Sequence, residues 1–168
     1  FAYIAQYATH LDLVSRRETY GYFQSKARGS RHDNPAFAAM CKDMDTSIGR
    51  VLNLVEELGI ADNTYIFITS DNGGETNVTS NAPLRGGKSQ LYEGGIRVPL
   101  VARWPGKIKP GTVSDHLSAF WDVLPTIAEI TGTAPLRRAY ALLRGAGPTP
   151  RKGDVSIRGE KGTFISVD

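Results

Sequence analysis

The chain has 168 residues, and 20 basic side chains against 17 acidic ones leave a formal net charge of +3, too even a balance to argue for a nucleic-acid partner. With 40% hydrophobic and 22% charged residues it has the make-up of an ordinary globular protein, long enough to bury one core. The single cysteine, Cys41, excludes an internal disulfide, and no stretch approaches the ~20 apolar residues of a membrane-spanning helix.

Phe1 to Tyr7 is β-prone and predicts a strand ending at Ala8-Thr9-His10, which puts a titratable side chain at the strand end. The chain opens on Phe1 as if in mid-strand, so a fragment of a longer protein is expected. Residues 11–34 are polar and irregular and read as a long loop with at most a helical turn; His32 is assigned no role there. Asn34-Pro35 then opens the clearest helix, with Asn34 or Asp33 as its cap and Pro35 in its first turn. Phe37, Met40, Cys41, Met44, Ile48, Val51, Leu52, Val55 and Leu58 form one apolar stripe at three-four spacing, and Gly59 is the expected stop. Cys41 belongs to that stripe and is expected to be buried, whereas Asp43 and Asp45 read as solvated or capping.

Thr64 to Gly74, Thr-Tyr-Ile-Phe-Ile-Thr-Ser-Asp-Asn-Gly-Gly, is an unbroken apolar run that ends in oxygen donors and a glycine pair. Such a run suits a strand buried on both faces of a parallel sheet, with Asp71 and Asn72 at the carboxyl edge where α/β sheets bind ligands. A carboxylate and an amide carbonyl are hard donors, suited to calcium or magnesium rather than zinc. The same four residues also read as a plain turn. Glu75 to Glu93 is loop-like; Gly86-Gly87 and Gly94-Gly95 allow close backbone approach, and Arg85, Lys88 and Arg97 supply positive charge suited to sulfate or phosphate. A basic surface loop is the alternative, and the spacing matches no P-loop. Val98 to Arg103 predicts another strand, ended by Trp104-Pro-Gly106, and Asp122 to Thr131 a helix with Pro125 in its first turn and Gly132 as its stop. Asp115 and His116 lie between them without an evident role. After Thr133 the pattern loosens, with a short hairpin predicted within residues 155–167, and the arginines and lysines beyond Arg137 read as a solvated surface.

Several of these stretches together resemble the sulfatase family, formylglycine-dependent enzymes of the alkaline-phosphatase-like superfamily. They are Asp45-Thr-Ser-Ile-Gly-Arg50, Asp62-Asn-Thr64, Thr69-Ser-Asp-Asn-Gly-Gly74, Ala82-Pro-Leu-Arg-Gly-Gly-Lys88, Leu91-Tyr-Glu-Gly-Gly-Ile-Arg-Val-Pro99, Arg103-Trp-Pro-Gly106 and Asp122-Val-Leu-Pro-Thr126. The resemblance runs from Phe1 to about Gly132. It implies an α/β fold, part of a three-layer sandwich with a mostly parallel central sheet. It implies that residues 1–132 are the carboxyl-side portion of the catalytic domain and 133–168 a loosely patterned tail, expected as the start of a smaller carboxyl-terminal subdomain.

By the same resemblance Asp71 and Asn72 are two ligands of a divalent cation, usually Ca2+ with Mg2+ as the alternative. Lys88 falls where a lysine contacts the sulfate ester, and His10 where a histidine faces the leaving group or sulfate, so both are expected in substrate binding and catalysis. Arg85 and Arg97 are expected to support the loop. The family's Cys/Ser-X-Pro-Ser/Ala-Arg motif, whose first residue becomes the formylglycine nucleophile, does not occur here: Cys41 is followed by Lys42-Asp43-Met44. The nucleophile is therefore expected upstream, and these 168 residues alone are expected to be inactive. The implied substrate is a sulfate ester, by default of a carbohydrate, and the implied location a periplasmic, secreted or lysosome-like compartment. The rival expectations are a phosphatase or phosphonate hydrolase of the same superfamily, and a non-catalytic remnant that binds anionic glycans through the Arg/Lys loop.

Overall fold

The computed structural model describes residues 1–133 and divides the chain into a unit from Phe1 to Gly106 and a second that begins at Lys107. The predicted hairpin within 155–167 lies outside the described residues.

The first unit is built on two helices and a strand pair. Helix α1 runs from Arg17 to Ser25 and helix α2 from Pro35 to Glu57. At the start of α2 the Asn34 side chain accepts hydrogen bonds from the amides of Ala36 (3.0 Å) and Phe37 (3.1 Å), satisfying two of the donors that a helix start leaves unpaired. Pro35 has no amide hydrogen to waste at that position. At the far end Gly59 takes φ +65, the left-handed conformation that turns the chain out of the helix. Ala39 and Met40 form the most buried part of the helix, and the predicted stripe is half-buried along Phe37, Met44, Ile48, Val51, Leu52 and Val55, with Leu58 exposed. Cys41 is half-buried, and that burial pushes its thiol pKa up, away from the reactive thiolate.

Helix α1 corrects the expectation of a loop over residues 11–34. Its sequence, Arg-Glu-Thr-Tyr-Gly-Tyr-Phe-Gln-Ser, buries no residue, and Arg16 at its start supplies no side-chain cap. The cap comes instead from α2. Asp43 accepts the Arg16 amide (2.7 Å) through one carboxylate oxygen and the Thr19 hydroxyl (2.7 Å) through the other. A cap contributed by a residue 27 positions away leaves no local signature.

The predicted strand at Phe1 to Tyr7 does not form. These residues are exposed and form no regular element, with no strand partner among the described residues, and β-propensity without a partner does not make a strand. Gln6 reaches the Ser47 hydroxyl on α2 at 3.4 Å. His10 therefore stands in a turn, closed by its amide on the Tyr7 carbonyl at 2.9 Å, and not at a strand end.

After a 3-10 turn at Ala61–Asn63, strand β1 spans Ile66–Thr69 and pairs antiparallel with β2, Leu100–Arg103, with Ile66 opposite Arg103 and Thr69 opposite Leu100. The expectation of a strand buried on both faces of a parallel sheet is thus replaced here by a half-buried strand in an antiparallel pair. The pair is fastened to the end of α2. Arg103 forms an ion pair with Glu56, the Trp104 indole donates to the Asp62 carbonyl (2.9 Å), and Tyr65 meets Trp104 edge-on at 5.7 Å. Burial pushes the Tyr65 phenol up to about 12. Helix α3 is a single turn, Glu93–Ile96.

In the second unit a 3-10 turn at Phe120–Asp122 leads into α4, Val123–Ile130. The Asp122 carboxylate accepts the Ala119 amide (2.8 Å), Pro125 lies in the first turn, and Gly132 at φ +67 ends the helix as predicted. Pro125, Thr126 and Ala128 are its buried residues.

The Asp43 carboxyl is held below its ordinary value of 3.8, chiefly by the Arg16 amide and then by the Thr19 hydroxyl. A depressed folded pKa contributes stability above the unfolded value, and that contribution is lost as pH falls through the folded value. Asp43→Asn should therefore lower the melting temperature at pH 7, with loss of helical circular dichroism from α1. The difference from wild type should shrink as the pH is taken below about 4, where an unfolded aspartate protonates. A difference independent of pH would mean that the charge of Asp43 does not hold α1.

Candidate functional site

The end of β1 and the loop that follows it are built by backbone meeting backbone. The Gly73 amide donates to the Gly95 carbonyl (2.9 Å), the Lys88 amide to the Gly74 carbonyl (3.1 Å), and the Gly94 amide to the Arg85 carbonyl (2.8 Å). Three glycine pairs, 73-74, 86-87 and 94-95, thus lie against one another. A methyl group on Gly73, Gly87, Gly94 or Gly95 would come well inside the 3.0 Å that Cβ atoms keep from neighbouring atoms, and the first atom met is in each case a backbone carbonyl oxygen. Gly94 and Gly95 are buried in α3, and Gly87 is buried opposite them.

Asn81 is the side chain that joins these strands of loop. Its Oδ1 accepts the Gly74 amide (2.9 Å), and its Nδ2 donates to the Gly74 carbonyl (2.9 Å) and the Gly86 carbonyl (3.1 Å). Three donor and acceptor sites of one amide are thereby used, which fixes the position of Gly74 relative to the Gly86-Gly87-Lys88 turn. The sequence reading gives Asn81 no role beyond its place in the Glu75 to Glu93 loop. The available signal was an asparagine placed between two glycine pairs that both need backbone partners.

Asp71 and Asn72 stand at the end of β1, Asp71 exposed and Asn72 half-buried. The Ser70 hydroxyl donates to the Asn72 carbonyl (2.8 Å), while among the described residues no hydrogen bond or ion pair engages the Asp71 carboxylate or the Asn72 side-chain amide. Two hard oxygen donors left free in adjacent positions fit a hard divalent cation as part of its shell. Among the described residues no group of three or more His, Cys, Asp or Glu side chains is placed to hold a metal, so further ligands are not supplied there.

The three cations of the loop differ in what they touch. Arg85 stacks over Tyr92, its guanidinium carbon 3.8 Å from the ring centroid, and donates to the Tyr92 hydroxyl at 2.9 Å. Arg97 pairs with Glu93 one turn away at 3.5 Å. Lys88 is half-buried, its amide is tied to Gly74, and no hydrogen bond or ion pair among the described residues engages its ammonium. The chain turns sharply just beyond it, because Ser89 adopts the left-handed φ of 67. Of the loop's three cations, Lys88 therefore has the charge left uncommitted among the described residues, on a turn whose backbone is tied to Gly74.

His10 is not joined to this group. Its Nδ1 lies against the Leu11 carbonyl, its ring is 5.6 Å from that of Tyr7, and Tyr7 in turn donates to the Leu11 carbonyl (2.6 Å). No hydrogen bond or ring contact among the described residues connects it to Asp71, Asn72 or Lys88. The structure thus brings together the Asp71–Gly74 strand end and the Lys88 turn, and leaves His10 in a separate turn.

The glycine packing predicts opposite signs for one substitution. Gly94→Ala should destabilise the chain by several kcal/mol, because the Arg85 and Gly86 carbonyls cannot withdraw without opening the loop. Gly49→Ala, on α2 with open space around it, should stabilise by about 1 kcal/mol. Denaturant titration of both variants measures the contrast; a neutral Gly94→Ala would mean the loop is not close-packed.

Comparison with known proteins identifies what the chain is similar to. A family model described as Sulfatase matches residues 1–133. The chain is 39% identical over 142 residues to a sulfatase of Formosa agariphila, covering 79% of this chain and 26% of that protein. It is 36% identical over 140 residues to the N-acetylgalactosamine-6-sulfatase of Canis lupus familiaris, covering 80% of this chain and 25% of that one. Among solved structures, that of Ps i-CgsB in complex with k-i-k-neocarrahexaose superposes with a TM-score of 0.71 at 29% identity, over 79% of this chain and 29% of that one. The chain thus spans about a quarter of the length of the curated relatives it matches.

Proposed function

The chain belongs to the sulfatase family and has its alkaline-phosphatase-like α/β fold, and from that membership we propose that it forms part of a sulfatase, a sulfuric ester hydrolase acting on a sulfated carbohydrate. The observation that carries the reading is the uncommitted ammonium of Lys88, tied by its own amide to the strand end that bears Asp71 and Asn72. A sulfate monoester keeps its negative charge on oxygens that must be held still while the S–O bond breaks, and a fixed cation in a half-buried position meets that need.

Lys88 binds a sulfate oxygen and neutralises charge on it as the ester bond lengthens. Asp71 and Asn72 hold a divalent cation, calcium or else magnesium, through one carboxylate and one amide oxygen. That cation, when bound, supplies a further positive field on the sulfate oxygens. His10 is assigned the leaving-group side, where an imidazole can donate a proton to the departing alkoxide. The nucleophile is assigned to a formylglycine outside these residues, since no Cys/Ser-X-Pro-Ser/Ala-Arg occurs in the sequence. Action in a periplasmic, secreted or lysosome-like compartment belongs to the same proposal. Among the described residues no helix is long and apolar enough to cross a membrane.

The rival reading, a remnant that merely gathers anionic glycans on the Arg/Lys loop, is less well supported. Arg85 and Arg97 are occupied by Tyr92 and Glu93, which leaves that loop one free charge, not a basic patch.

In an enzyme that contains these residues together with the nucleophile, Lys88→Ala should reduce kcat/KM for 4-methylumbelliferyl sulfate by about 10²–10³, the loss typical of removing one charge-stabilising donor. Near-normal turnover would remove Lys88 from the site. In the same enzyme calcium should raise the melting temperature of the wild type and barely change that of Asp71→Ala; equal stabilisation of both would refute the cation assignment.

A further inference from the structure

Behind the Asn81 clamp lies an open cleft of ≈ 410 Å³, within the range of about 300–1,000 Å³ in which small-molecule sites occur. Its walls come from two distant parts of the chain. One is the turn before α2, with Arg31 and Asp33; the other is the loop from Thr76 to Ala82 with Leu84 and Gly86. The His32 ring nitrogen Nδ1 lies 3.2 Å from the Thr79 hydroxyl and links the two walls. Asn81 and Gly86 line the cleft and also fix Gly74 and the Lys88 turn, so cleft and candidate sulfate site share a wall.

The lining is mixed in a way that selects a ligand class. Arg31 is exposed, and no hydrogen bond or ion pair among the described residues engages its guanidinium. Asp33 adds a carboxylate, which disfavours a bare anion and accepts hydrogen bonds from hydroxyls. Thr76 and Asn77 add neutral donors and acceptors, while Val78 and Leu84 offer the small apolar area on which the C–H face of a sugar ring rests. A polyhydroxyl ring carrying one anionic substituent uses all of these groups; inorganic phosphate or an apolar ligand uses few.

We infer that this cleft is a second sugar subsite, holding the ring next to the sulfated one, with a further sulfate or carboxylate of that ring on the Arg31 guanidinium. The inference rests on the ester-hydrolysis reading above for the identity of the first ring, and it names Arg31 as the residue that sets preference for a doubly charged substrate. A planar guanidinium binds such an anion through two parallel N–H···O contacts, which a lysine cannot reproduce.

Titration calorimetry, with chondroitin disaccharides bearing one or two sulfates, of the enzyme that contains these residues, its nucleophile replaced by alanine to prevent turnover, tests it. With Arg31 in place this protein should bind the doubly sulfated disaccharide about tenfold more tightly than the singly sulfated one. Arg31→Ala should abolish that preference and Arg31→Lys should retain part of it. Lys26→Ala, which removes a cation outside the cleft that stacks on Tyr22, should leave it intact. An unchanged preference in Arg31→Ala overturns the subsite, as do equal losses from Arg31→Ala and Lys26→Ala, which would indicate general charge attraction. Absence of binding to either disaccharide by that enzyme with Arg31 in place overturns it as well. Because these measurements read binding preference, while Lys88→Ala reads turnover and Asp71→Ala reads calcium stabilisation, failure of the subsite and failure of the hydrolase reading give different results.

Discussion

Everything at the candidate site depends on three glycine pairs whose backbones lie in contact and on the asparagine that fastens them. The carbonyl of Gly74 receives both the Lys88 amide and the Asn81 side chain, while the amide of Gly73 is held by Gly95. Side chains at these positions would separate the segments, so the position of Lys88 relative to the strand end is set by the absence of Cβ atoms. The backbone polar groups brought into this contact find partners in one another, which is what allows a loop without a sheet or a long helix to be rigid.

That rigidity decides how charge is distributed. A loop with Arg85, Lys88 and Arg97 has the composition of a diffuse basic patch, yet two of the three cations are spent on neighbours within seven residues. Arg85 lies flat on Tyr92, and Arg97 pairs with the glutamate one helical turn before it. What remains is one uncommitted ammonium on a turn tied by its backbone to the segment that bears two uncommitted oxygen donors, local sign contrast and not a uniform field. Such contrast suits a cation bridged to an anion, which is the form in which a metal and a sulfate meet.

Much of this was legible in the sequence where local rules govern. Asn34, Pro35 and Gly59 bracket α2 by capping and backbone conformation alone, and Gly132 ends α4 in the same way. Strand β1 was legible as an apolar run and the glycine pairs as places of close approach. Three features were not legible, each for a non-local reason. Helix α1 is capped by Asp43 from another helix. The strand pattern of Phe1 to Tyr7 lacks a partner among the described residues. The direction in which β1 pairs depends on which strand lies beside it, and apolar runs do not encode that. At the site, the residue types of Asp71, Asn72 and Lys88 suggested their chemistry, but only the structure reveals that Asn81 holds their segments together and that Arg85 and Arg97 are engaged.

The borrowed cap on α1 also bears on how the chain resists proteolysis. Arg16 and Arg17 are adjacent basic residues at the mouth of that helix, a natural target for trypsin-like enzymes, which need several residues in extended form to cut. The Arg16 amide is held by Asp43, so the bond after Arg16 becomes accessible only when α1 leaves α2. The rate of cleavage there reports the docking of one helix on the other, independently of the integrity of the loop that carries Lys88.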